Sequence, residues 1–309
     1  PEHLWQVQTI KQRQTGRWQT LSTQELAAMG LTNSQGKPNF YIPMVAPVEH
    51  TEPELPVEPY LLGVMLGNAE FAKGVISLHK EDRDVADRII TAGTEMMQYP
   101  TTTALRFRPC RANQLLRAIG QEGVPSKDKH IPPVYLTAHL EARRALLAGL
   151  LDTDGSVRTN RGQPQFHTTS LALAGGVQTL VESLGGTARV RVLSRGEIRV
   201  DILLNENPFR SDRKRALWRV PTRGPSRSII AIEPEGEEEV WCLRVAAADH
   251  LYVTERYLVT HNTTLARLIA KTMNVRIVEL VPPFNVYALV EAASTLNDGD
   301  ILFIDEIHT

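Results

Sequence analysis

The chain changes character at Val259-Thr260-His261-Asn262-Thr263. Upstream, Trp241–Val245 and Leu251–Val253 alternate apolar and polar residues, as short strands do. Downstream, Thr263 to Ala270 has the spacing of an amphipathic helix, and Ile301-Leu302-Phe303-Ile304 is an apolar run suited to a buried parallel strand. Two unrelated kinds of sequence pattern therefore meet at this junction. It is also a chemical junction. The Asn262 side-chain amide nitrogen can attack its own backbone carbonyl, closing a succinimide and breaking the bond to Thr263. Holding those groups in attack geometry removes much of the barrier. His261 can protonate the departing amine, and Thr263 offers a hydroxyl nucleophile once activated.

The 309 residues suffice for two or three domains. A net charge of −1 gives no global basic signature, so any nucleic-acid surface must be local. Cys110 and Cys242 are too far apart in sequence to suggest a disulfide framework or a zinc spacing. No signal-peptide pattern stands among the first residues, although Pro1 is no natural start and leaves upstream targeting signals open, and no apolar run approaches the roughly 18 residues of a membrane span. A cytoplasmic location is the expectation.

The stretches Val240 to Val245, Asp249 to Thr254 and Tyr257 to Asn262 resemble the two C-terminal splicing motifs of inteins, in order. Pro1-Glu2-His3-Leu4-Trp5-Gln6-Val7 resembles the N-terminal intein motif built around Thr-x-x-His, with the Thr falling one residue before Pro1. The resemblance implies an all-β, horseshoe-shaped splicing (Hint) domain in two pieces, 1–55 and 225–262. It implies that His3 activates the N-terminal scissile bond and that His250 assists Asn262. Trp5, Cys242 and Thr260 stand where class 3 inteins carry their Trp, Cys and Thr. In that class the internal Cys242 would form a thioester with the upstream segment, which Thr263 would capture. Thiolate suits that acyl transfer. The alternative for Cys242 is a small strand residue, and for His250 a surface histidine. The chain is read as starting inside the first motif, a fragment that does not splice as it stands.

Between the two pieces, Leu147-Ala148-Gly149-Leu150-Leu151-Asp152-Thr153-Asp154-Gly155 resembles the LAGLIDADG motif of homing endonucleases, with a weaker copy at Leu61 to Ala69. The resemblance implies an α+β endonuclease domain over 56–224 acting on double-stranded DNA. Two helices would cross on a pseudo-twofold axis, with Gly63, Ala148 and Gly149 admitting close approach. An acid at the foot of each helix would hold divalent metal, Mg²⁺, between the scissile phosphates. Asp154 is intact, but Asn68 stands in the first copy, followed by Ala69. Asn keeps a carbonyl ligand and loses the charge that recruits a hard cation. Glu70 lies two residues on and is not expected to replace it. A nicking or cleavage-dead enzyme that still binds DNA is therefore expected. Lys129 matches a family lysine near the cleavage centre, where a cation stabilises charge on phosphate.

Ala188–Val192 and Ile198–Ile202 alternate around Ser194-Arg195-Gly196-Glu197, which reads as a hairpin. Arg189, Arg191 and Arg199 share one face, and such a basic ribbon suits the major groove. Leu105-Arg106-Phe107-Arg108 is the counterpart in the first half, making Arg106 and Arg108 candidate DNA contacts. Leu171 to Leu184, stopped by Gly185-Gly186, reads as a helix.

After the junction, Thr263-Thr264-Leu265-Ala266-Arg267 resembles the second half of an ATP-binding P-loop and its helix. Ile301 to Glu306 resembles a Walker B strand. The resemblance implies that Thr263 and Thr264 bind nucleotide, that Thr263 and Asp305 hold Mg²⁺, and that Glu306 polarises the attacking water. It implies an AAA+ ATPase interrupted between the loop's Lys and Thr, with 263–309 a partial α/β segment. Asp300 to His308 is most similar to the RuvB family of Holliday-junction motors, with clamp loaders next. That implies ATP, Holliday-junction DNA and a homo-hexameric ring for the complete host; the segment alone is not expected to hydrolyse ATP. The competing reading is a DNA-binding regulator that reuses a degenerate LAGLIDADG domain without cutting or splicing.

Overall fold

The computed structural model describes residues 3–51, 53–236, 245, 247, 249–261, 275–280 and 285–304. The chain divides into two compact units. One comprises Pro1–Pro43, Ser228–Thr254 and Val259–Thr309; the other comprises Met44–Arg227 and Glu255–Leu258.

The second unit is built on two central helices, Pro59–Asn68 and Leu140–Asp154. The first starts where Pro59 presets the backbone and the Glu58 carboxylate accepts from the Tyr60 and Leu61 amides. Tyr60 to Leu66 are all buried, so the helix is apolar on every side and can only be a core helix. Each central helix runs into a four-stranded antiparallel sheet. The spatial order is Ala69–Glu70, Val75–Leu78, Leu105–Pro109, Met96–Tyr99 in one sheet. In the other it is Gly155–Val157, Pro164–Thr168, Ile198–Leu203, Thr187–Val192. Both sheets place their strands first, second, fourth, third. In each half a helix, Arg83–Thr91 or Leu171–Ser183, joins the second strand to the third. The two halves are thus one topology used twice. Ile76 and Phe107 fill the core beneath one sheet, Phe166 and Val200 beneath the other.

The expected hairpin is present. Arg191 lies opposite Arg199 and Arg189 opposite Asp201, and Gly196 takes φ +79° at the turn. Its apolar face is Ala188, Ile198, Val200 and Ile202.

In the first unit, Leu4–Val7 pairs antiparallel with Gln19–Ser22, and Leu251–Thr254 pairs with Leu258–His261. The strands expected of an all-β segment are accompanied by two short helices, Ile10–Thr15 and Thr23–Met29. Each is nucleated by a capping box, Thr9 with Gln12 and Ser22 with Glu25, a local signal that outweighs the strand pattern. Ile277–Leu280 pairs parallel with Ile301–Ile304. Among the described residues no helix is long and apolar enough to cross a membrane.

Candidate functional site

The central helices meet at Gly63 and Gly149. A Cβ on Gly63 would lie 2.3 Å from the Leu146 carbonyl oxygen, and one on Gly149 would lie 2.3 Å from the Tyr60 carbonyl oxygen. One turn further, a Cβ on Gly67 would strike the Thr153 hydroxyl. Backbone-to-backbone contact therefore brings the C-terminal ends of both helices to one place, carrying Asn68 and Asp154 with them.

Those two residues line one cleft of about 660 Å³ with Lys129, Ser77, Thr153, His167 and Glu197. Asp154 is half-buried, and burial raises its carboxyl to about 6 against the opposing charges of Lys129, Lys214 and His167. Asn68 is exposed and donates its Nδ2 to the Ser77 carbonyl at 2.6 Å, which leaves its amide oxygen as the available acceptor.

Two buried lysines flank the helix ends with matching geometry. Lys129 Nζ donates to the Leu66 and Ala69 carbonyls at 3.1 and 2.8 Å. Lys214 Nζ donates to the carbonyls of Leu151, Asp152 and Thr153 at 2.9, 2.8 and 3.0 Å. Each ammonium sits on the negative end of a helix dipole. Burial lowers both to about 8, while the Asp154 carboxylate acts against that shift. Lys214 is absent from the sequence reading because Arg213-Lys214-Arg215 looks like a solvated basic run; only the tertiary fold buries its middle member.

Asp152, first acid of the LAGLIDADG-like stretch, faces the core. Its carboxylate accepts from the Tyr60 hydroxyl at 2.7 Å and the Arg210 amide at 3.2 Å. Burial raises it to about 6. His167, also outside the candidate set, holds Glu197 through Nδ1 at 2.8 Å and faces the Ser156 hydroxyl through Nε2 at 3.3 Å.

Among the described residues no three His, Cys, Asp or Glu side chains converge as a metal cage. Mg²⁺ is commonly held by one or two carboxylates together with substrate phosphate and water. Asp154 supplies one such carboxylate and Asn68 a neutral oxygen in the same cleft. The donor set fits a cation on the Asp154 side shared with a phosphate, not a symmetric pair: Glu70 and Glu197 line the same cleft but pair with Lys73 and His167.

The candidate DNA-contacting arginines are mostly engaged. Arg191 and Arg199 pair with Asp201 at 2.8 and 3.1 Å. Arg108 donates to the Lys73 carbonyl at 2.8 Å and to Asn113 at 3.0 Å. Arg106, opposite Ser77 in its sheet, and Arg189 are exposed.

In the first unit the structure assembles five of the candidate splicing residues. His3 Nε2 lies 2.6 Å from the Thr260 hydroxyl, across 257 positions of sequence. The His3 and Trp5 rings meet edge to face at 4.9 Å, and Trp5 donates its indole N–H to Thr23 at 3.0 Å. The His250 and His261 rings lie 5.8 Å apart. Thr260 and His261 are buried. Burial first, then the neighbouring His261, lowers the His3 pKa, which favours the neutral imidazole. Cys242, Asn262, Thr263, Thr264, Asp305 and Glu306 lie outside the described residues.

A family model for the LAGLIDADG-like domain matches residues 141–207. A replicative DNA helicase DnaB of Mycobacterium intracellulare is 36% identical over 226 residues, covering 69% of this chain and 36% of the relative. A DnaB of Rhodothermus marinus is 26% identical over 180 residues, covering 50% of this chain and 19% of the relative. The chain thus spans about a third or less of these relatives. A solved structure of I-DmoI in complex with DNA and Ca shares 14% identity, covers 52% of this chain and 95% of that one, and has a TM-score of 0.36. On the matched residues, 141–207, the chain carries a LAGLIDADG-like domain.

Proposed function

We propose that this chain is an intein carrying a LAGLIDADG endonuclease and interrupting the ATP-binding loop of a helicase-type ATPase. The observation that carries the splicing reading is the 2.6 Å contact of His3 with Thr260, with Trp5 and His261 beside it. His3 and Thr260, 257 positions apart in sequence, are brought into one polar cluster, as the splicing reading expects. The DnaB relatives support a helicase host, although most of the 226 aligned residues must fall before Thr263, because the segment after the junction is far shorter. The Asp300 to His308 wording supports a RuvB-like host, with ATP and a hexameric ring on Holliday-junction DNA in the complete protein.

Splicing would begin when the Cys242 thiolate attacks the last upstream carbonyl carbon: the C–S bond of a thioester forms, the peptide C–N bond there breaks, and its nitrogen leaves as an amine, aided by neutral His3. The Thr263 hydroxyl would then attack that thioester, forming an ester as the C–S bond breaks and the Cys242 thiol leaves. The Asn262 amide nitrogen then attacks its own carbonyl carbon. The bond to the Thr263 nitrogen breaks, and that nitrogen leaves as an amine with a proton supplied by His261; the freed amine would then attack the ester on its own side chain, forming the host peptide bond as the C–O bond breaks and the Thr263 hydroxyl is restored. A completed precursor, with the upstream host restored, tests this: a shorter ligated host product is expected, and its absence sinks the reading. Cys242→Ala separates the class 3 route from an ordinary one, because only the former loses the branched intermediate.

In the second unit, Asp154 with Asn68 would hold Mg²⁺ against a DNA phosphate, where it activates water and stabilises the leaving oxygen. Lys129 and Lys214 add positive charge beside that phosphate. With one charged ligand rather than two, nicking of one strand is the expected activity. Asn68 also favours the second reading, a non-cutting DNA-binding regulator. Purified chain that binds target DNA yet leaves both strands intact in Mg²⁺ would establish that alternative for the endonuclease unit.

A further inference from the structure

The C-terminal end of helix Leu171–Ser183 gathers three distant segments of the second unit. The inbound segment is held at Val48. Its amide donates to the Ser183 carbonyl at 2.9 Å, and its carbonyl accepts from Arg143. Arg143 is fully buried and also donates to the Ser183 hydroxyl at 2.6 Å and the Ala138 carbonyl at 2.8 Å. The outbound segment is held at Arg227, which pairs with the buried Glu182 at 3.2 Å. The third segment is the turn Glu255–Tyr257. Arg256 pairs with the same Glu182 oxygen at 2.8 Å, and its carbonyl accepts from Arg227 at 2.5 Å.

That turn joins strands Leu251–Thr254 and Leu258–His261. Arg256 and Tyr257 both take left-handed backbone, at φ 58° and 55°. Two successive positive φ values make a type I′ hairpin turn, which Asn-Gly adopts without strain. Arg and Tyr do not, and such residues persist only where the surroundings over-determine them. Glu182, bonded to Arg256 directly and through Arg227, supplies that determination. Thr260 and His261 follow three and four positions after Tyr257.

We propose that Glu182 is a positioning residue for splicing: by clamping Arg227 and Arg256 it locks the left-handed turn that aims the Thr260–His261 strand. Its structural half stands on the contacts alone; its functional half rests on the intein reading.

The test uses the chain as it is, with two readouts. Hydrogen exchange reports the Leu258–His261 amides, and mass spectrometry reports release of residues 263–309 by cleavage after Asn262. Glu182→Ala is expected to accelerate exchange at those amides at least tenfold and to slow cleavage by a similar factor. Adding Arg256→Asn and Tyr257→Gly builds a turn that needs no clamp, and should restore both. Unchanged exchange in Glu182→Ala overturns the proposal. So does failure of the Asn-Gly turn to rescue, because the loss then reflects general unfolding. If exchange responds and is rescued while no variant cleaves, the structural half stands and the functional half falls with the splicing reading.

Discussion

Gly63 and Gly149 leave each other no room for a side chain: a Cβ on either would sit 3.0 Å from the other's Cα and 2.3 Å from a carbonyl oxygen of the facing helix. The cleft holding Asn68 and Asp154 depends on that approach. Gly63→Ala and Gly149→Ala must push the helices apart against backbone. Each is expected to destabilise by about 3 kcal/mol, the upper end of ordinary overpacking. Gly175→Ala is the control. It lies in helix Leu171–Ser183 with nothing within 4 Å of its Cβ position, so it should gain about 0.5–1 kcal/mol. Denaturant unfolding of the three variants decides; equal behaviour would refute the packing argument.

Restoring the missing acid should change the cleavage product. Asn68→Asp adds a second charged ligand and is expected to convert nicking into double-strand cleavage, or to lower the Mg²⁺ requirement. The substitution also removes the donor to the Ser77 carbonyl. Because Asn68 is exposed, water can replace that bond and folding should be little affected. Asp154→Asn should abolish cleavage in either background. Plasmid nicking gels separate the outcomes.

The pH profile follows from burial. Asp154 must be ionised to hold a cation, and its carboxyl is raised to about 6, so cleavage should fall as pH drops through about 6, well above the usual carboxylate range. Lys129 and Lys214 are lowered to about 8, so the alkaline limb should lie there. The limbs are shared properties of an interacting set. The stability signs are opposite to those of ordinary paired groups. Raised Asp154 contributes stability as pH falls below about 6, and the lowered lysines contribute it as pH rises above about 8. Single-turnover cleavage and melting curves across pH 5–9.5 check both; an acid limb near 4 would remove Asp154 from the metal-holding role.

His261→Ala should slow cleavage after Asn262 by about 10²–10⁴-fold, the usual weight of one positioned proton donor. Thr260→Val deletes the hydroxyl beside His3 and should mainly slow the upstream step in a completed precursor. Equal effects of both variants on both bonds would dissolve the division of labour.

Arg106 is the exposed arginine of its strand, whereas Arg191 and Arg199 are committed to Asp201. Arg106→Ala should weaken DNA binding and reduce the salt slope by about one counterion. A slope equal to that of the unmodified chain would place DNA elsewhere.

The amino-acid sequence by itself determined the local elements whose signals are local: the central helices, the Thr187–Leu203 hairpin, and the helix stopped before Gly185. Periodicity and turn chemistry act over a few residues and are legible without a fold. The sequence also named Asp154 and Asn68 through the two motif copies, and Lys129 through a separate stretch that resembles a flanking family segment. It did not disclose Lys214, Glu182 or Arg143, because each looks like a surface charge and becomes buried only by packing. Nor could it place His3 against Thr260, a contact that exists only once Pro1–Pro43 and Val259–Thr309 share one unit. Burial and long-range proximity depend on where the whole chain goes, and those quantities decide which charges lose water and which side chains can react.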